Sequence, residues 1–384
     1  FQLYIRKRPL SEAETSQNIY DVVNTDIDGC EKSVIVHDGQ LARNGRRLTM
    51  THRHYAFSRV LGADTTTLDF CHIGVDPLIH NALSGLSSTL LCYGQTGTGK
   101  TYTLVGALDY TAGRLAGSDV EIIFYEVHNN KCLDLLNNRR QIYLRSDEHD
   151  VVNVRGAHAI ELKSCSCSSV KEVFDRAMKL RSSEETERNP ISSRSHAVCV
   201  VRVLSSETAT VSDAEVNCGS ITFVDLAGSE RNYETSSMTA AKHKESADIN
   251  FSLMALKNCF RAYHDQLQTL ISSHDHITSE STKLSRVHKR KKKTSIVATV
   301  SPAAVDAQHT VNTLNHISLM DPSLQKFISE IATEVPKRGA ALTSTPMAQW
   351  SSEEVNTWLS TVERGRFAYL AVPPQFTGAD LLRL

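Results

Sequence analysis

Residues 92–104 read Cys-Tyr-Gly-Gln-Thr-Gly-Thr-Gly-Lys-Thr-Tyr-Thr-Leu. Gly94, Gly99, Lys100 and Thr101 fit the pattern G-x-x-x-x-G-K-[ST], with Gly97 added between. The apolar run Ser88–Tyr93 ahead of it is strand-like, as a phosphate-binding strand–loop–helix unit requires. Glycines let backbone N–H groups turn inward around phosphate oxygens with no Cβ in the way. On this reading Gly94, Gln95, Thr96, Gly97, Thr98 and Gly99 cradle a nucleotide. Lys100 reaches its β- and γ-phosphates, and Thr101 offers a hydroxyl to Mg²⁺. The following helix aims its positive end at the same place.

Working outward, the 384 residues are enough for one large α/β domain and something small beside it. Basic and acidic residues nearly cancel, leaving a formal charge of −1, so no global field points to nucleic acid. The nine cysteines contain no C-x-x-C, which argues against a zinc site or a disulfide scaffold. Neither a membrane-length apolar run nor a signal-peptide pattern is present, so no membrane partner is expected. The chain starts at Phe1 inside a strand-like run and stops at Leu384 in an apolar one, the look of a fragment.

Strands are predicted at Val120–Val127, Ala197–Leu204, Ser220–Val224 and Thr294–Val300. A helix is predicted over Glu245–Tyr263, where Ile249, Leu253, Leu256 and Phe260 recur at helical spacing. Residues 321–346 read as a linker, and both tryptophans, Trp350 and Trp358, lie beyond it in a separate small helical module.

Two further polar segments each precede or end an apolar strand. Asn189-Pro-Ile-Ser-Ser-Arg-Ser-His196 supplies Ser192, Ser193 and Ser195 as phosphate or Mg²⁺ ligands and Arg194 as a charge stabiliser. In Val224-Asp-Leu-Ala-Gly-Ser-Glu230, Asp225 is placed to hold Mg²⁺ through water and the Gly228 N–H to meet the γ-phosphate. Glu230 is placed to pair with Arg194. Alone, the first segment reads better as a polar turn ahead of a strand, and the second reads reasonably as a strand-end turn.

Together and in this order, the three segments resemble the kinesin motor domain, whose phosphate loop reads GQTG-x-GKT and whose two switches read N-x-x-SSRSH and DLAGSE. Ile5–Leu10, Cys132–Leu136, Ile296–Pro302 and Asn312–Leu314 extend the likeness over residues 1–320. The resemblance implies a P-loop NTPase with a central, mainly parallel sheet flanked by helices, using ATP and Mg²⁺. It implies that Arg8 and Pro9 flank the adenine, with Tyr102 on the other side. It also implies tubulin as the partner and a microtubule-associated place in the cytoplasm and cytoskeleton. No guanine-reading N-K-x-D is present.

Arg6–Leu10, Asp21–Val23, Val34–His37 and Leu256–Arg261 resemble the internal-motor kinesins that depolymerise microtubules. The Lys-Val-Asp tip of that class is missing from the loop Gly39–Arg47. Filament binding falls on the Glu245–Tyr263 helix and on the basic run Lys283–Lys293, though Lys289–Lys293 is equally a solvated turn or a nuclear-import run. Several departures count against normal activity, on the filament side and, for a missing helix, in packing. Glu280, within Thr278–Thr282, stands where the family has arginine, and Phe251 stands where it has lysine. Residues are missing between Val287 and Thr294, and Val105–Asp119 is too short for the helix that usually precedes the next strand. The alternative is a non-motile tether that binds nucleotide. Residues 347–384, with Trp350, Val355, Trp358, Leu359, Phe367, Phe376, Gly378, Leu381 and Leu382, resemble the first part of a sterile alpha motif (SAM), a module that usually binds a protein partner.

Overall fold

The computed structural model describes residues 2–25, 32–41, 48–128, 131–146, 152–182, 194–204, 218–229, 253–255, 258, 293–320, 347–361 and 375–381. In chain order the strands begin with β1 (Gln2–Lys7), β2 (Val23–Asn24), β3 (Ser33–Leu41), β4 (Leu48–Ala56), β5 (Arg59–Leu61), β6 (Ser87–Gly94) and β7 (Asp119–His128). They continue with β8 (Lys131–Asp134), β9 (Arg140–Ser146), β10 (Val152–Arg155), β11 (Ile160–Leu162), β12 (His196–Leu204), β13 (Gly219–Asp225) and β14 (Lys293–Val300). The helices that matter for the site are α1 (Glu12–Ser16), α2 (Thr67–Phe70), α3 (Asp76–Leu83), α4 (Lys100–Arg114) and α5 (Cys167–Ser182).

The order across the main sheet is β10-β9-β8-β7-β12-β13-β6-β14-β1-β5, with β11 paired to β7. The strand before the phosphate loop, β6, lies inside it and is buried on both faces from Leu90 to Gly94, as a central strand of a parallel region must be. It pairs in parallel with β13 and β14, and β1 continues the parallel set to β5.

The sheet is mixed, which corrects the expectation of a mainly parallel one. Strand β12 runs antiparallel to both β13 and β7, and the β7–β10 region is antiparallel throughout. Antiparallel neighbours can be joined by a direct connection, whereas parallel ones need a crossover of a dozen or more residues. Strand-like and helix-like patterns alternate in the sequence and so suggest crossovers. Alternation within a strand reports which face is buried and says nothing about direction.

Helix α4 presents Leu104, Ala107, Leu108, Thr111 and Ala112 to the core at helical spacing. It absorbs most of Val105–Asp119, and a turn through buried Leu115 leads directly into β7. The short segment therefore leaves the inner face of α4 covered. Helix α5 buries Val170, Val173, Phe174, Ala177 and Arg181 along one stripe. Strand β3 runs through Leu41 and pairs Gly39 with Met50 of β4, so the expected loop Gly39–Arg47 starts within a hairpin arm. Among the described residues no helix is long and apolar enough to cross a membrane, and seven cysteines are free thiols.

The chain divides into two compact units, Phe1–Gln325 and Lys326–Leu384. In the second, Ser351 caps the helix Ser352–Thr361 through a reciprocal pair with Glu354. Val355 and Leu359 are buried there, and the Trp350 and Trp358 rings lie 5.9 Å apart. The Gly378 N–H donates to the Trp350 carbonyl at 3.0 Å, which brings in the short helix Gly378–Leu381. Residues 321–346 lie outside the described residues.

Candidate functional site

Strand β6 ends at Gly94 with φ +146°, where a Cβ would stand 2.4 Å from the Thr299 carbonyl oxygen. Only glycine fits so close a crossing of β14. From there the loop climbs to an exposed crest at Thr96 and Gly97 and returns at Gly99, the left-handed N-cap of α4. Thr98 fastens the returning limb, its hydroxyl 2.7 Å from both the Gln95 carbonyl and the Thr299 hydroxyl. The Gln95 side chain donates to Asp306 at 3.2 Å. Lys100 is buried, its Nζ donating to the carbonyls of Gly94 at 3.0 Å and Gln95 at 2.8 Å.

The end of β13 lies beneath this loop. Thr101 Oγ1 donates to Asp225 Oδ2 at 2.7 Å, and Arg181 Nη1 donates to the same oxygen at 2.7 Å. Asp225 is fully buried, yet its Oδ1 has no hydrogen-bond partner among the described residues. A carboxylate oxygen without a donor at such a depth calls for a cation or a water bound to one. Among the described residues no group of three His, Cys, Asp or Glu could grip a metal. A hydroxyl and one carboxylate oxygen fit Mg²⁺, which takes few protein ligands and fills its octahedron with water and phosphate.

Beyond Asp225, the Ala227 N–H donates to His196 Nδ1 at 3.1 Å and the Ser229 N–H to the Gly94 carbonyl at 3.0 Å. Gly228 thus sits between two anchored neighbours, against the phosphate loop. Burial, and then the charge of Arg181, lower the His196 imidazole from 6.5 to about 4, with Asp225 opposing. Because the folded-state value lies below the unfolded one, the unfolded chain takes up this proton first. Stability is therefore full above about pH 6.5 and declines toward pH 4, by about 3 kcal/mol at the low end. His196→Asn keeps an acceptor for Ala227 and should flatten that decline, read as urea midpoints between about pH 7 and 4.5.

On the other side of the loop, Arg8, Pro9, Thr66, Gly97 and Tyr102 line a cavity of about 740 Å³. Tyr102 is 69% exposed, with the Arg6 guanidinium 5.5 Å from its ring centre. Arg6 donates to Thr103 at 3.0 Å and Thr67 at 2.8 Å. Arg8 grips Glu14 at 2.7 and 2.6 Å, which holds that carboxyl down at about 2. The structure therefore brings together Arg8, Pro9, Gly94 through Tyr102, Asp225 and Gly228.

Asn189, Ser192, Ser193 and Glu230 lie outside the described residues, and Arg194 is described at their edge, half-buried. Most of the Glu245–Tyr263 helix, including Phe251, also lies outside, as do Glu280, Lys283, Arg286 and Lys289 to Lys292. Sequence reasoning missed Arg181, Glu126, His196, Thr299 and Arg6. For Arg181 a signal existed: it follows Val170, Val173, Phe174 and Ala177 on the buried stripe of α5.

The family model for the kinesin motor domain matches residues 6–320. Diatom spindle kinesin-1 of Cylindrotheca fusiformis is 33% identical over 81% of this chain and 49% of its own length. Kinesin-like protein KIF24 of Homo sapiens is 32% identical over 81% of this chain and 23% of its own. Kinesin-like protein KIN-13B of Arabidopsis thaliana is 29% identical over 82% and 46%. The chain thus spans half or less of the length of these relatives. In fold it is similar to a solved KIF14 dimer (residues 391–772), described as two-heads-bound with AMP-PNP in complex with a microtubule. The TM-score is 0.63 at 23% identity, over 83% of this chain and 93% of that one.

Proposed function

The chain belongs to the kinesin motor-domain family, and from that premise we propose that it is an Mg²⁺-dependent ATPase acting on microtubules. One observation carries the reading: the Thr101 hydroxyl and the Asp225 carboxylate meet at 2.7 Å beneath the phosphate loop, with a buried carboxylate oxygen left over.

The adenine lies between Arg8–Pro9 and Tyr102, and the backbone of Gly94–Gly99 surrounds the phosphates. Lys100 exchanges its two carbonyl partners for phosphate oxygens. Thr101 and Ser193 would hold Mg²⁺, Asp225 would hold it through water, and Asn189 and Ser192 would serve as further nucleotide-binding residues. The ion, when bound, neutralises charge that develops on the transferred phosphoryl group. Gly228 meets the γ-phosphate, Arg194 stabilises the charge, and Glu230 pairs with Arg194 behind the attacking water. Phosphoryl transfer needs positioning and charge stabilisation more than covalent help, and these groups supply both.

The subclass is the microtubule-depolymerising one, on the residues Arg6–Leu10, Asp21–Val23, Val34–His37 and Leu256–Arg261. Residues 347–384 are a SAM-like module that engages a protein partner. Glu280 weakens attraction to the acidic tubulin surface, so ATP binding is retained and filament coupling is altered.

Steady-state ATPase with and without microtubules tests this. Mg²⁺-dependent basal hydrolysis with feeble stimulation is expected; strong stimulation at ordinary microtubule affinity overturns altered coupling. Imaging of stabilised microtubules with the protein and ATP sorts the subclass. Shortening supports depolymerisation, gliding replaces it with translocation, and inert binding leaves the tether.

A further inference from the structure

We propose that Arg139, on the turn between β8 and β9, is a positioning residue for the Asp225 carboxylate. Two observations point to it. The first is backbone: Asn138 and Arg139 take φ of +46° and +58°, consecutive left-handed residues that are not glycine. Arginine seldom adopts this region, and such residues persist where surrounding contacts over-determine them. The turn is closed by the Arg139 N–H on the Asp134 carbonyl at 2.8 Å and the Arg140 N–H on the Asn137 carbonyl at 3.0 Å.

The second is charge. The Arg139 side chain is 12% exposed and its Nη1 lies 2.8 Å from Glu126 Oε2. Glu126, on β7, is fully buried, and its Oε1 lies 3.9 Å from Arg181 Nε. Arg181 meets Asp225 at 2.7 Å. Cation and anion therefore alternate from the β8–β9 turn to the site: Arg139, Glu126, Arg181, Asp225.

Arg181 stands between two buried carboxylates, close to Asp225 and farther from Glu126. It keeps that choice because Arg139 already neutralises Glu126. Without Arg139, Glu126 is a buried charge whose nearest cation is Arg181, and attraction at that depth is weakly screened. Arg181 then moves toward Glu126, and Asp225 Oδ2 loses the donor that, with Thr101, fixes which oxygen faces the cation. Loss of an outer partner of this kind lowers metal affinity by about 10–100-fold.

This inference rests on the reading of Asp225 as a Mg²⁺-side residue. The test titrates MgCl2 against the whole chain with a fluorescent ATP analogue and reads the Mg²⁺ concentration for half-maximal binding. R139Q should raise it about tenfold or more, and E126Q/R139Q should return it to within about threefold of wild type, because a neutral side chain at 126 no longer competes for Arg181. A structural role for the turn alone predicts no such rescue. A wild-type Mg²⁺ requirement in R139Q, or a double variant as impaired as R139Q, overturns the proposal. If R139Q does not fold, R139K carries the test: it keeps the charge beside Glu126, so its Mg²⁺ requirement should stay within about threefold of wild type, and a rise of about tenfold or more overturns the proposal. A wild-type chain that binds no nucleotide with Mg²⁺ overturns the proposed function itself, and this inference with it.

Discussion

Lys100→Met is expected to lower the ATP hydrolysis rate by about 10²–10³-fold while leaving the fold nearly as stable as before. The two effects separate because of what Lys100 touches. Its ammonium is buried against the Gly94 and Gln95 carbonyls. Neither is orphaned by its loss, since the Ser229 N–H still donates to Gly94 and the Thr98 hydroxyl still donates to Gln95. Methionine fills most of the vacated volume, so the expected change in stability is within about 1.5 kcal/mol. What cannot be replaced, on the proposed reading, is a positive charge that leaves these carbonyls for phosphate oxygens and meets negative charge as it develops. Turnover number and melting temperature, measured on the same preparation, check the separation. A variant that melts normally and still turns over at more than about a tenth of the wild-type rate would take Lys100 out of the chemistry.

The larger loss of stability should come from Arg181→Leu, at about 3–5 kcal/mol. The side chain is 1% exposed, bonded to Asp225 at 2.7 Å and to the Ser195 carbonyl at 3.2 Å. Removing it leaves the buried Asp225 charge with the Thr101 hydroxyl but without its cation, while Glu126 keeps Arg139. Breaking a buried pair from one side costs far more than removing both charges, because the survivor stays desolvated. R181L/D225N should therefore be more stable than R181L, and urea midpoints for the four members of this cycle give the coupling directly. If both singles and the double variant fall by additive amounts, the two side chains do not form the coupled unit described here.

Much of the site could be read from the sequence because phosphate binding leaves a local imprint. Gly94, Gly97 and Gly99 stand at the positive-φ positions of one short loop, and an apolar strand must precede it. Strand positions were also legible: the run Val120–Val127 is a strand from Asp119 to His128, marked by the unbroken buried apolar stretch Ile122–Tyr125 at its centre. Strand direction was not, since β12 and β13 alternate buried and half-buried positions, a pattern that is the same whether they run parallel or antiparallel. The hairpin arm through Leu41 was hidden by Gly39, a residue that weakens strand propensity unless its partner is known. Arg181 and Glu126 were hidden for another reason. Charged residues are read as surface, and only pairing across distant parts of the chain lets them lie inside.

The cross-link between Thr98 and Thr299 spans 201 residues of chain, and β14, which carries Thr299, inserts between β6 and β1. On a ribosome the phosphate loop therefore emerges long before the strand that braces it. At about 5–20 residues per second the wait is on the order of 10–40 s. Until β14 arrives, β6 has an open edge on that side and Thr98 has only the Gln95 carbonyl to hold the returning limb of the loop. Acquisition of nucleotide should thus be among the last events of biosynthesis, and nascent chains stalled before Lys293 should be retained by chaperones rather than by immobilised ATP.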